Sequence, residues 1–140
     1  MSKYNVPADV PNELRGEFEK NMAAATAGTG HMNLFACDQK IYHLNDDFYD
    51  GGNNIPLSSN DPEHFFKIGQ ATHDAGTIGV LAGQLGLISH YARDYPNIPY
   101  LVKLNSKSHM VKTSQRDPVS QAMWDLEDVM ALIRNGINVV

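Results

Sequence analysis

The feature that most constrains the fold is a repeat of short apolar runs that alternate with helical patterns. Apolar runs of strand length lie at Met32–Cys37, Ile78–Leu81, Tyr100–Asn105 and Ile137–Val140. Longer segments with helical periodicity separate them, so the order is strand, helix, strand throughout. This order favours parallel pairing with right-handed crossovers. The sequence therefore predicts an α/β fold built on a parallel sheet.

The helical segments carry apolar side chains at helical spacing and are bounded by capping residues, prolines or glycines. In the first of them, Leu14, Phe18 and Met22 fall four residues apart on one face. The predicted helices begin near Pro11, Asp61, Gln84 and Asp117, and they end near Gly28, Gly76, Tyr95 and Gly136.

Two architectures fit this order, a doubly wound sheet and half of a barrel. No Gly-x-Gly-x-x-Gly motif follows the first strand and no Walker phosphate loop is present, which disfavours a nucleotide-binding sheet. We therefore predict the first half of a (β/α)8 TIM barrel, comprising strands 1–4 and ending inside strand 4. Residues 1–30 are expected to form an N-terminal arm and a helix that closes the lower end of the barrel. Residues 31–140 are expected to form the incomplete barrel itself.

Charge and composition limit the classes of partner. A net charge of −5 over 140 residues, without a cluster of Lys and Arg, argues against nucleic acid and anionic membranes. The apolar runs are too short to span a bilayer, and the N-terminus lacks a signal-peptide pattern. One cysteine and six histidines without ligand spacing predict neither a disulfide nor a metal site. A cytoplasmic protein is expected.

Polar residues directly after the first apolar run are candidates for chemistry, because parallel strands open onto the ligand at their carboxyl ends. Asp38 is one, able to hold a substrate hydroxyl or take part in proton transfer. It could equally be a loop aspartate satisfied by backbone amides. His43 could donate to a phosphate oxygen or could simply be solvated.

Lys103 and Asn105 are the candidates on the third strand. If Val102 and Leu104 face the helices, alternation directs Lys103 into the barrel, where its charge needs a partner. Lys103 could meet a substrate phosphate, or it could form an ion pair with Asp38 that only holds the barrel together. Asn105 is expected to point the same way as Lys103, nearer the mouth. Trp124, with Met123 and Met130, is expected on a helix face that packs on the barrel.

Several long motifs resemble one family, the archaeal-type (DhnA-like) class I fructose-bisphosphate aldolases. The resemblance runs from about Tyr4 to Val140. Its motifs are Phe-Ala-Cys-Asp-Gln-Lys-Ile-Tyr-His-Leu-Asn-Asp-Asp-Phe-Tyr at 35–49, Asp-Pro-Glu-His-Phe-Phe-Lys-Ile at 61–68, Gln-Leu-Gly-Leu-Ile at 84–88, Asp-Tyr-Pro-Asn-Ile-Pro-Tyr at 94–100 and Leu-Val-Lys-Leu-Asn-Ser-Lys at 101–107.

The resemblance implies a TIM barrel that reversibly cleaves fructose 1,6-bisphosphate to dihydroxyacetone phosphate and glyceraldehyde 3-phosphate in glycolysis and gluconeogenesis. It implies a Schiff base between a lysine and the ketone, without a metal or another cofactor. The family's Asp-x-x-x-x-His pattern falls on Asp38 and His43, which would contact substrate hydroxyl and phosphate groups. A homo-oligomer is expected for the full-length protein.

The same resemblance places the Schiff-base lysine on strand six and the proton-transfer tyrosine near strand five, both beyond Val140. The 140-residue chain alone is therefore predicted to be inactive, and poorly soluble because one face and two strand edges would be exposed. Two alternatives stay open at this point. One is a related sugar-phosphate aldolase or transaldolase-like enzyme of the same barrel family, and the other is a non-catalytic half-barrel that binds a sugar phosphate.

Overall fold

The computed structural model describes residues 4–36, 61–106 and 121–140. A 3-10 turn at Asn12–Leu14 leads into the first helix. The helices are α1 (Arg15–Ala25), α2 (Pro62–Asp74), α3 (Leu85–Tyr91) and α4 (Leu126–Arg134). The strands are β1 (Leu34–Ala36), β2 (Val80–Gln84), β3 (Tyr100–Lys103), β4 (Asn105–Ser106) and β5 (Gln121–Ala122). Among the described helices, none is both long and apolar enough to cross a membrane.

The main sheet is parallel, with strand order β1-β2-β3. Leu34 of β1 pairs with Val80, and Gln84 at the other end of β2 pairs with Lys103 of β3. Val139 forms an isolated parallel bridge with Tyr100, on the free side of β3. The predicted fourth strand, residues 137–140, is therefore represented by this bridge. It lies next to β3, so these segments follow one another across the sheet in chain order, as they do in a barrel.

The core lies between this sheet and the helices, and one aromatic ring is at its centre. Phe66 of α2 is fully buried, with its ring centroid 5.0 Å from Tyr91, 5.7 Å from Tyr95 and 6.2 Å from Tyr100. Other buried members of this core are Leu81, Ile88, Ala92, Ile98 and Leu132. Each fully buried large side chain contributes about 1.5–3 kcal/mol. The helices are thus fixed to the sheet mainly through the side chains around Phe66.

Helix α1 lies at the amino ends of the strands. Its residues Phe18, Met22 and Ala25 line one apolar cavity of about 270 Å³ together with Val80 and Leu101. A Cβ atom at Gly79 would overlap the carbonyl oxygen of Ala25, so α1 and the start of β2 are in direct backbone contact. Glycine is required at residue 79 because no side chain fits there.

The third predicted helix is shorter than expected. Its periodicity predicts a helix from Gln84 to Tyr95, but α3 ends at Tyr91 and the next residues form tight turns. Pro96 disfavours helical backbone at Tyr95, and the Tyr95 side chain instead makes contacts with α2. Its hydroxyl donates to Glu63 Oε1 at 2.9 Å, and its ring packs on Phe66.

Two predicted boundaries are wrong: the third strand does not continue to Asn105, and residues 121–125 are not helical. The predicted helix start at Asp117 lies outside the described residues. The parallel strand ends at Lys103, and Asn105–Ser106 instead pair antiparallel with Gln121–Ala122. Helix α4 begins at Leu126, where Asp125 and Asp128 form reciprocal capping hydrogen bonds of 3.1 and 3.0 Å.

Met123 and Trp124 therefore precede α4 instead of lying on its packing face. The backbone N–H groups of both residues donate to the carbonyl of Leu104. Because the N–H groups of Met123 and Trp124 are bonded to Leu104, these two residues are not part of the helix, which begins at Leu126.

Replacing Gly79 with alanine is expected to lower the free energy of unfolding by about 1–3 kcal/mol, because helix α1 must move away from the new methyl group. Gly16→Ala is the matched control. Gly16 lies on α1, where an added methyl group would meet nothing within 4 Å, and alanine there favours the helix by up to about 1 kcal/mol. Urea denaturation of both variants makes the comparison. A Gly79→Ala variant as stable as the wild type would contradict the close contact between α1 and β2.

Replacing Glu63 with glutamine is expected to lower stability at neutral pH but not in acid. Hydrogen bonds from Lys67 and then Tyr95 hold the pKa of the Glu63 carboxyl below its usual value of 4.5. Because the folded-state pKa is the lower one, the carboxylate stabilises the fold above about pH 4.5, and this contribution disappears as the pH falls through the folded pKa.

The measurement is the urea unfolding free energy of both proteins from about pH 7 down to about pH 3. Glu17→Gln, which removes an exposed carboxylate on α1, controls for the loss of one negative charge. A stability difference for Glu63→Gln that persists unchanged to the lowest pH would show that charge at residue 63 is not responsible.

Candidate active site at the carboxyl ends of the strands

Alternation along the strands defines two faces of the main sheet. Phe35, Leu81, Tyr100 and Val102 belong to the core under the helices. Their neighbours in sequence lie on the opposite face, which we call the inner face. The inner face consists of Leu34, Ala36, Val80, Ala82, Gln84, Leu101 and Lys103.

The inner face changes from apolar to polar along the direction of the strands. At the amino ends, Val80 and Leu101 line the apolar cavity closed by α1. At the carboxyl ends, Gln84 and Lys103 lie side by side in register on adjacent strands. A cation at the carboxyl edge of a parallel sheet can bind an anionic ligand, and this edge is where such folds place their sites.

Of the residues predicted to bind substrate, Lys103 is described on the inner face. Val102 packs against the helices as expected, and Lys103 is therefore on the opposite face, partly exposed. Asn105 is exposed and belongs to the β4–β5 ladder, so the alternation of β3 does not extend to it. Its backbone carbonyl, however, accepts a hydrogen bond from Gln84 Nε2 at 3.4 Å. The structure thus joins Asn105 to this edge through its main chain.

The other two predicted site residues, Asp38 and His43, lie outside the described residues. Their assigned roles remain predictions.

Gln84 and Trp124 meet at this edge of the sheet, a contact that sequence reasoning missed. Gln84 is only 7% exposed, and its Oε1 accepts a 3.2 Å hydrogen bond from the indole Nε1 of Trp124. The sequence pattern assigns Gln84 to the start of a helix, yet it is the last residue of β2. The pattern that singles out Asp38, a polar residue directly after an apolar run, also occurs at Gln84 and could have identified it.

A second cavity, of about 300 Å³, lies at the opposite edge of the sheet between the end of α1 and the starts of β1 and β2. Its polar lining includes Thr26, Asn33 and Thr77, each of which already hydrogen-bonds to nearby backbone. Within residues 4–36, 61–106 and 121–140, no three His, Cys, Asp or Glu side chains form a group that could hold a metal ion.

A three-stranded parallel sheet with helical crossovers, in chain order across the sheet, fits the first part of an α/β barrel. Comparison with known proteins agrees with this class. A model of the DeoC/LacD family aldolases matches residues 32–140. The chain belongs to the DeoC/LacD aldolase family.

One curated relative is the fructose-bisphosphate aldolase/6-deoxy-5-ketofructose 1-phosphate synthase of Methanocaldococcus jannaschii. It is 48% identical over 131 residues, which cover 94% of this chain and 40% of the relative. The chain therefore spans about two fifths of the length of that protein.

Solved structures give the same result. The fructose-bisphosphate aldolase from Slackia heliotrinireducens is 54% identical, with a TM-score of 0.86 over 99% of this chain and 42% of its own length. A Schiff-base-forming fructose-1,6-bisphosphate aldolase, studied through its reaction intermediates, is 27% identical with a TM-score of 0.58. That match covers 81% of this chain and 40% of the other. The predicted fold, the first part of a (β/α)8 barrel, and the resemblance to archaeal-type aldolases are confirmed.

Proposed function

We propose that this chain forms the first half of a class I fructose-bisphosphate aldolase, which reversibly cleaves fructose 1,6-bisphosphate to dihydroxyacetone phosphate and glyceraldehyde 3-phosphate. The observation that carries the proposal is the similarity over 99% of the chain to an aldolase of that name, at 54% identity. The position of Lys103 at the carboxyl edge of the sheet supports it independently, because a bisphosphate needs a cationic partner.

The proposed chemistry is covalent catalysis through a lysine. A lysine amine condenses with the substrate ketone, and the resulting iminium withdraws electrons from the carbon–carbon bond that breaks. By the family resemblance, that lysine and the proton-transfer tyrosine belong to later strands than those described in this chain. The 140 residues alone are then inactive, and their part in the reaction is to bind and orient the substrate.

The roles proposed for residues of this chain follow from charge and position. Lys103 on the inner face is assigned to a substrate phosphate, with Asn105 beside it at the end of the strand. Asp38 is assigned to a substrate hydroxyl, with a part in proton transfer, and His43 to a phosphate oxygen, both on the family pattern. No metal and no further cofactor enters this proposal.

The setting of the enzyme is also a proposal. A sugar bisphosphate of glycolysis and gluconeogenesis places the protein in the cytoplasm, and the net charge of −5 favours a small-molecule partner over nucleic acid or an anionic membrane. The family resemblance supports a homo-oligomer for the full-length protein.

A second candidate is a different reaction on a related sugar phosphate. The Methanocaldococcus relative is named for both fructose-bisphosphate aldolase and 6-deoxy-5-ketofructose 1-phosphate synthase. Synthesis of 6-deoxy-5-ketofructose 1-phosphate is therefore the alternative activity to assay beside cleavage of fructose 1,6-bisphosphate.

Borohydride reduction of the complete protein with fructose 1,6-bisphosphate is expected to trap a covalent adduct on a lysine outside residues 1–140. Peptide mapping by mass spectrometry locates the adduct. The 140-residue chain treated in the same way should give no adduct and no cleavage. An adduct on Lys103, or neither adduct nor turnover of either sugar phosphate in the complete protein, would refute the proposal.

Replacing Lys103 with methionine in the complete protein is expected to raise the KM for fructose 1,6-bisphosphate roughly tenfold to a hundredfold, because a charge-assisted hydrogen bond contributes about 1.5–3 kcal/mol. The borohydride adduct should still form at saturating substrate, since Lys103 is not the nucleophile. Lys20→Met, on the exposed side of α1, is the control. An unchanged KM would show that Lys103 only holds the barrel together.

A further inference from the structure

A buried carboxamide at the carboxyl end of β2 connects two parts of the chain. Gln84 is 7% exposed, and a buried amide is costly unless both of its ends are hydrogen-bonded. Its Oε1 accepts from Trp124 Nε1 at 3.2 Å, and its Nε2 donates to the Asn105 carbonyl at 3.4 Å. Both partners come from the chain that follows β3. Gln84 therefore fastens that segment to the neighbouring strand.

Backbone hydrogen bonds complete the same connection. The Leu104 carbonyl accepts from the N–H of Met123 at 2.8 Å and of Trp124 at 3.3 Å. Asn105 pairs with Ala122 in the adjoining antiparallel ladder. We call Gln84, Leu104, Asn105 and Trp124 the clasp. It crosses the carboxyl end of β3 directly after Lys103, the residue in register with Gln84.

The chemistry of the partners determines which way the carboxamide faces. An indole N–H can only donate and a backbone carbonyl can only accept. Gln84 must therefore present its oxygen to Trp124 and its NH2 group to Asn105. Among side chains of this length, an uncharged group that both donates and accepts is what the clasp requires. Glutamate would keep the acceptor for Trp124 but lose the donor for Asn105.

We propose that Gln84 is a positioning residue for the sugar-phosphate site, acting through the clasp on Lys103. The Gln84 carboxamide holds the chain immediately after Lys103. Gln84 itself belongs to β2, which pairs with β3 at Lys103. Lys103 is thus held on one side by the pairing of β3 with β2 and on the other by the clasp. Less conformational entropy is then lost when Lys103 binds a phosphate, so substrate binds more tightly. The functional part of this inference rests on the proposed aldolase function, whereas the clasp itself does not.

The first measurement tests the clasp without substrate, by hydrogen exchange in the complete protein. Gln84→Leu is expected to accelerate exchange of the Met123 and Trp124 amides at least about fivefold. Loss of one net hydrogen bond changes the local opening equilibrium by about that factor. Gln70→Leu is the matched control, because the side chain of Gln70 bonds to Asp74 on the surface of α2, away from the clasp. Exchange in α2 should stay unchanged in Gln84→Leu, which establishes that the variant is folded.

The second measurement asks whether Gln84 acts through Lys103. Gln84→Leu should raise the KM for fructose 1,6-bisphosphate about fivefold to tenfold with kcat changed much less. In the Lys103→Met background the same substitution should have little further effect, because coupled residues are not additive. Gln84→Glu, which keeps the acceptor for the indole, should raise the KM while the Trp124 amide remains more protected than in Gln84→Leu.

Each outcome is decisive for one part. Unchanged exchange at Met123 and Trp124 in Gln84→Leu overturns the clasp. Independent, multiplicative effects of Gln84→Leu and Lys103→Met on KM overturn the positioning role. A wild-type protein that turns over neither sugar phosphate overturns the proposed function, whereas faster exchange at Met123 and Trp124 in Gln84→Leu still supports the clasp.

Discussion

The central strand β2 is the element on which the described structure depends. It pairs in parallel with β1 on one side and β3 on the other, so both of its edges are hydrogen-bonded. Its residues are buried on both faces, apart from the partly exposed Ala82, as is typical of parallel strands. Leu81 enters the core around Phe66, and Val80 faces the cavity closed by α1. The packed helices, helix α1 and the polar edge of the site therefore all take their positions from this one short strand.

The two ends of β2 make different kinds of contact. At its start, Gly79 allows the backbone of α1 to approach so closely that no side chain fits between them. At its end, the side chain of Gln84 hydrogen-bonds to the Asn105 carbonyl and to Trp124 Nε1. Barrel enzymes in general have apolar contacts at the amino ends of their strands and polar groups at the carboxyl ends. The resemblance to fructose-bisphosphate aldolases adds the chemistry to that arrangement.

Local patterns predicted the parts of this structure that local forces decide. Apolar runs located β1 to β3, Asp61 and Pro62 located the start of α2, and alternation with Val102 placed Lys103 opposite the helices. The errors fall where distant contacts override a local preference. Tyr95 continues a helical pattern in sequence, but in the structure it lies outside the helix, hydrogen-bonded to Glu63 and packed on Phe66.

Sequence by itself determined the order of the helices and of the strands in the main sheet, the parallel pairing of those strands and the family, because these depend on periodicity and on motifs of neighbouring residues. It also placed Lys103 on the inner face. Only the tertiary structure decided that β3 stops at Lys103 and that Trp124 reaches Gln84. Forty residues separate those last two side chains, and no local pattern encodes a hydrogen bond across that distance. The hydrogen bonds of this buried amide form only after folding has brought distant segments of the chain together.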